Sequence, residues 1–195
     1  MSKFKIDTFT VLLLFVCLIY TPFYNLIPVF TAILLHELAH IIAAVAMKIK
    51  IKQIELNILG ARIHTKNDLF SYKKEIILSA AGPLMNLLIF FIIHITFEFW
   101  ENDIIKDFAF YNLTLGILNL LPMEGFDGGR IFKGLLAQVF SFQVVNSFSR
   151  FLSFFVLFIL WIISVYFLIR AGASLALFAF CSALFSKMIK KDVFI

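Results

Sequence analysis

The chain has 195 residues, of which 62% are hydrophobic and only 15% charged. Soluble domains average nearer about 45–50% apolar, so a water-soluble fold is excluded, and several runs reach the ~20 apolar residues that cross a bilayer. The formal net charge is +5, but the basic residues flank the apolar runs and form no single stripe, which argues against nucleic acid and for a membrane.

Lys3 and Lys5 precede a first apolar segment, about Phe9 to Tyr20. A secretory signal would also begin this way. Thr21-Pro22-Phe23-Tyr24 follows where a small-residue cleavage site would stand, so a short first span starting in the cytoplasm is expected. The stretch from Pro22 to Pro28 makes the turn into a second span.

That second run, roughly Asn25 to Met47, contains His36-Glu37-Leu38-Ala39-His40. Ionisable groups at membrane depth are costly and mark function. On a helix His36 and His40 stand at i and i+4, so both imidazoles project from one face and can close on one ion. Glu37 sits about 100° round the helix, near such an ion without binding it. Two neutral nitrogens and an adjacent carboxylate are what a catalytic zinc site needs, short of a third protein ligand. The alternative is a helix whose polar groups merely pair with their neighbours. Ala39, Ala43, Ala44 and Ala46 let other backbones come close.

Lys48 to Lys74 is polar by comparison and holds seven basic residues. Ile54, Leu56 and Ile58 alternate with Gln53, Glu55 and Asn57, a strand signal, and Leu59-Gly60-Ala61 offers a turn. A short hairpin at the membrane surface is expected, with His64 reading as a surface residue. Glu75 to Trp100 forms a third span, in which Gly82 and Pro83 would loosen the helix. Asn86 reads as an interhelical hydrogen bond or a direct participant, and His94 as a structural partner.

A fourth span, about Phe108 to Leu121, runs into Pro122-Met123-Glu124-Gly125-Phe126-Asp127-Gly128-Gly129. Proline and glycines break regular structure there and bring backbone close to something. Asp127 is the best candidate for the missing ligand, although Asp-Gly is also an ordinary turn pair. Ile131 to Asn146 reads as an apolar, partly interfacial helix, Phe151 to Ile169 as a fifth span and Ala171 to Phe185 as a sixth. Cys17 and Cys181 read as small core hydrophobes.

The expected fold is therefore an all-α membrane protein, a six-span helix bundle with a short membrane-surface β-hairpin after the second helix. It would be a single domain over residues 1–195, with both termini cytoplasmic. In that topology every one of the 17 Lys and Arg except Lys106 and Arg170 falls on the inside. The same count sets His36, His40 and Asp127 at similar depth, towards the cytoplasm.

These residues resemble the site-2 protease family of intramembrane zinc metalloproteases, peptidase family M50. His36 to His40 matches the family's HExxH. Asn119, Pro122, Asp127, Gly128 and Gly129 match its NxxPxxxxDGG, and Ala81-Gly82-Pro83 with Asn86 is similar to a recurring feature of its third span. The matched core covers about 26–130. The resemblance implies His36, His40 and Asp127 as ligands of one Zn2+ per chain, Glu37 as catalytic acid/base and Asn119 as a substrate or oxyanion contact. It implies a transmembrane protein substrate cleaved in the cell membrane, with a membrane-protein inhibitor or regulator as a further expected partner. Six spans with a surface hairpin look most like the sporulation-type branch, whose members process a sigma-factor precursor. Glu124 and Gly125 stand where many members have a second proline, and neither a PDZ nor a CBS segment is present. The competing readings of the same polar residues are a polytopic transporter and a catalytically inactive binding homologue. Against transport stands the lack of a repeat of spans.

Overall fold

The computed structural model describes residues 3–6, 23–49, 51–57, 60–65, 71–96, 102–171, 181–182 and 184–185. The expected first span, Phe9 to Tyr20, lies outside these residues, as does most of the expected sixth. In chain order the elements are β1 (Lys3–Ile6), α1 (Phe23–Ala46), β2 (Ile51–Asn57), β3 (Gly60–Thr65), α2 (Tyr72–Ile95), α3 (Asp103–Leu120), α4 (Asp127–Leu136) and α5 (Phe142–Ala171).

Among the described residues three helices are long and apolar enough to cross a bilayer: Leu26–Ala46 within α1, Tyr72–Ile95 and Phe142–Arg170. At 1.5 Å per residue the 24 residues of α1 reach about 36 Å, more than the ~30 Å hydrocarbon layer. Burial is distributed as lipid demands. Leu34, Val45, Leu84, Ile95 and Tyr166 face outward, each more than half exposed. The buried set includes His36, His40, Asn86, Asn112, Asn119, Asp127 and Ser164. An apolar outside around a polar inside is the inverse of a water-soluble core, and in hydrocarbon it is what leaves polar groups satisfied only by one another. The protein is a membrane protein built on a helical body.

Helix α2 is the centre of the body and packs against α1, α3 and α4, while α1 also meets α3. Contrary to the loosening that Gly82 and Pro83 suggest, α2 runs unbroken for 24 residues. Small residues sit where helices touch: a methyl on Gly116 of α3 would lie 3.0 Å from the Leu87 side chain of α2. The segment read as one helix over 131–146 is instead two, α4 and the start of α5, parted at 137–141.

Strands β2 and β3 pair antiparallel, Glu55 opposite Arg62 and Asn57 opposite Gly60. Strand β1 adds to β2 in parallel, Lys3 opposite Gln53 and Ile6 opposite Leu56, giving the order β1-β2-β3. The third strand was not expected from the sequence. Four residues with two lysines, read only as the flank of a span, carry too short a pattern to show it.

Candidate metal centre

Helix α1 brings His36 and His40 onto one face, with ring centroids 4.8 Å apart and planes at 80°. Both are almost fully buried, at 4% and 5% exposure. Asp127 comes from far away in sequence, at the first turn of α4, where the helix dipole favours negative charge. Its Oδ2 stands 3.1 Å from each Nε2, and the two Nε2 atoms are 3.2 Å apart. Among the described residues this is the grouping of His, Cys, Asp and Glu that could hold a metal ion.

The opposite ring nitrogens decide what the site is for. His40 Nδ1 lies 2.7 Å from the Leu78 carbonyl, which can only accept, so it must donate. His36 Nδ1 lies 2.6 Å from Asn86 Oδ1 and donates in the same way. A neutral imidazole that donates from Nδ1 carries a bare lone pair on Nε2. Two such lone pairs and a carboxylate oxygen, 3.1–3.2 Å apart, repel one another unless a cation lies between them. The spacing also suits the cation: ligands at about 2.0 Å in a tetrahedral shell stand about 3.3 Å apart. Three protein donors of this kind, two nitrogens and one oxygen, form a zinc-type set with a fourth position left open.

The geometry needs two close approaches. Gly82 lies against the histidines; a β-carbon there would come within 2.6 Å of His36 Nε2 and collide with His40 Nε2 as well. At the other wall, a β-carbon on Gly128 would run into the Leu120 and Leu121 carbonyls, so only glycine lets α4 start directly beneath the end of α3. The turn between them is fastened at several points. Met123 and Phe126 bury themselves against Leu157 of α5, with Val156, Leu184 and Phe185 packed behind. The Glu124 amide donates to Ser153 Oγ at 2.9 Å, and Lys133 Nζ donates to the Glu124 carboxylate. Gly125 holds φ at 100°, a value that side-chain-bearing residues avoid. Glu124 and Gly125 thus shape and brace the aspartate turn. Arg130 Nη1 lies 3.9 Å from Asp127 Oδ1 and adds positive charge on the outer side.

Of the other sequence candidates, Glu37 follows His36 on α1 and is half buried. Asn119 is buried on the last turn of α3, and its amide donates to the Leu115 carbonyl at 3.0 Å. His94 lies elsewhere on α2, stacked on Phe90 at 5.6 Å, and His64 falls in β3. Asn86 proves to be the partner of His36. The Leu78 carbonyl has no sequence signal at all.

The interior of a helical membrane body thus joins an HExxH pair to an aspartate distant in sequence. The M50 peptidase family model matches residues 101–163. A zinc metalloprotease of Methanocaldococcus jannaschii is 30% identical over 118 residues, 58% of this chain and 34% of that protein. Stage IV sporulation protein FB of Bacillus subtilis is 31% identical over 120 residues, 57% of this chain and 40% of that protein. The chain thus spans well under half the length of these curated relatives. The solved site-2 protease of Methanocaldococcus jannaschii has the same fold, with a TM-score of 0.66 over 96% of this chain and 89% of that one, at 20% identity. The chain thus has the site-2 protease fold, and its sequence is similar to zinc metalloproteases over somewhat more than half its length.

Proposed function

We propose that this chain is an intramembrane zinc metalloendopeptidase that cleaves a peptide bond in or beside a transmembrane segment of another membrane protein. The observation that carries the reading is the convergence of His36 Nε2, His40 Nε2 and Asp127 Oδ2 within 3.2 Å, with both Nδ1 atoms committed to acceptors. One zinc ion held by these three residues would supply a Lewis acid for the scissile carbonyl and a water acidic enough to ionise near neutral pH.

The chain's own residues do the rest. Glu37, on the ligand helix, takes a proton at its carboxylate and hands it to the leaving nitrogen. Asn119, at the end of α3, offers its amide to the substrate or to the developing oxyanion. A transmembrane helix hides its amides in internal hydrogen bonds, so the substrate must unwind before cleavage. Strand β3 is an edge of the sheet, suited to receive the unwound segment as an added strand.

The finer topology belongs to the same reading: six spans, both termini in the cytoplasm and the sheet at the cytoplasmic membrane surface. Parallel pairing of β1 with β2 supports it, because it brings the lysine-bearing N-terminal strand beside the basic stretch that follows α1, so that both lie on one side of the membrane. A membrane-protein inhibitor or regulator is a further expected partner.

The test is Glu37→Gln. Expected is loss of cleavage with zinc still bound one per chain, read by metal analysis and by comparing membrane-derived peptides between cells with the wild type and the variant. Cleavage that persists in Glu37→Gln would sink the mechanism.

A further inference from the structure

His36 is aimed differently from His40. Its partner is a side-chain amide, and an amide can be turned over to present a donor where it presented an acceptor. Something must stop Asn86 from turning. The structure supplies it in a chain of hydrogen bonds through three helices. Asn112 Nδ2 donates to the Phe108 carbonyl at 2.8 Å. That leaves Asn112 Oδ1 to accept from Asn86 Nδ2, also at 2.8 Å. Asn86 Nδ2 donates as well to the Ala32 carbonyl on α1, at 3.3 Å. Its Oδ1 is then the atom that faces His36 Nδ1. Both asparagines are fully buried, at 0% exposure, so water cannot replace either partner.

The direction of every bond in this chain is forced from its far end. The Phe108 carbonyl can only accept, so Asn112 must turn its NH2 towards it. Asn112 then meets Asn86 with oxygen, Asn86 meets His36 with oxygen, and His36 must keep its proton on Nδ1. We infer that Asn112, a residue on α3 acting only through Asn86, is a positioning residue that helps fix the tautomer of His36, with the proton on Nδ1 and the bare lone pair of Nε2 facing Asp127. The inference rests on the zinc reading given above. It ties the aim of a ligand on α1 to α3, the helix that leads into the turn carrying the third ligand.

The experiment uses the full chain in detergent, with Zn2+ affinity measured by competition against a chelating dye and Co2+ absorption as a report on ligand geometry. Asn112→Leu removes the shorter of the two bonds that hold Asn86, leaving only the 3.3 Å bond to the Ala32 carbonyl against turning. Asn112→Asp, buried and therefore protonated, can donate its O–H to the Phe108 carbonyl and still present an accepting oxygen to Asn86, which remains held in its orientation. Loss of one orienting partner typically costs about 10–100-fold in metal affinity. Expected here, one layer further out, is a fall of about 10-fold for Asn112→Leu with an altered Co2+ spectrum, and a change within about 3-fold for Asn112→Asp with the wild-type spectrum.

Wild-type affinity in Asn112→Leu, or an equal fall in both variants, overturns the inference. Should Asn112→Leu fail to fold, Asn112→Asp decides alone: retained affinity supports the inference and a 10-fold or larger loss (about the low end for an orienting partner) overturns it. Failure of the zinc reading looks different. The wild type would then bind no Zn2+, or His36→Ala would bind as the wild type does, whatever happens at Asn112.

Discussion

The two walls of the site are built by opposite means. The histidine wall is one regular helix, in which a four-residue spacing sets both rings side by side. The aspartate wall is an irregular turn held by a positive-φ glycine, a hydroxyl from α5, an ion pair to Glu124 and two buried side chains. Local periodicity makes the first wall. Contacts between elements distant in sequence make the second. The first wall should therefore fail by losing its aim, and the second by losing its fold.

The largest effects come from the donors themselves. Removing either imidazole or the carboxylate, as in His40→Ala or Asp127→Ala, should lower zinc affinity by more than about 100-fold, above what loss of an orienting partner gives, and abolish cleavage. Metal content per purified chain checks this, and a variant that keeps a full complement of zinc would remove that residue from the set.

The glycines separate the two walls most cleanly. Gly128→Ala drives a methyl into main-chain carbonyls that cannot move aside, and should cost about 3 kcal/mol of stability, the upper part of the range for overpacking. Gly82→Ala drives its methyl into the imidazoles. Zinc affinity should fall by about 10-fold, as for a misaimed ligand, while thermal unfolding shifts less than for Gly128→Ala. If the two variants behave alike in both measurements, the contrast between the walls is wrong.

Smaller effects belong to the bracing of the turn. Ser153→Ala leaves the Glu124 amide without its hydroxyl and should cost about 1 kcal/mol by thermal or chemical unfolding. Lys133→Met breaks a half-buried ion pair and should cost less, below about 1 kcal/mol. A stability loss in Lys133→Met exceeding that of Ser153→Ala would make the ion pair, not the hydroxyl, the main fastener.

The same division explains what could be read from the sequence. His36, Glu37 and His40 declare themselves because helix geometry is local and because polar groups in an apolar run are conspicuous. Asp127 required a topological count, since an Asp-Gly pair looks the same in any turn. Gly82 and Pro83 pointed towards a loosened helix, whereas the glycine is where α2 approaches the imidazoles; which neighbour lies against a missing side chain is decided by packing alone. Asn112 left a faint mark, a polar residue two helical turns before Asn119 on an apolar helix. The Leu78 carbonyl left none, because every residue has one.

The two imidazoles take their bearings, directly or through Asn86 and Asn112, from main-chain oxygens of Leu78, Ala32 and Phe108. Anyone wishing to transplant this centre into a designed scaffold would find the five-residue motif insufficient: it carries two rings and nothing that points them. The smallest portable unit begins at Ala32 and ends at Asp127, and needs three helices and the start of a fourth at fixed separations.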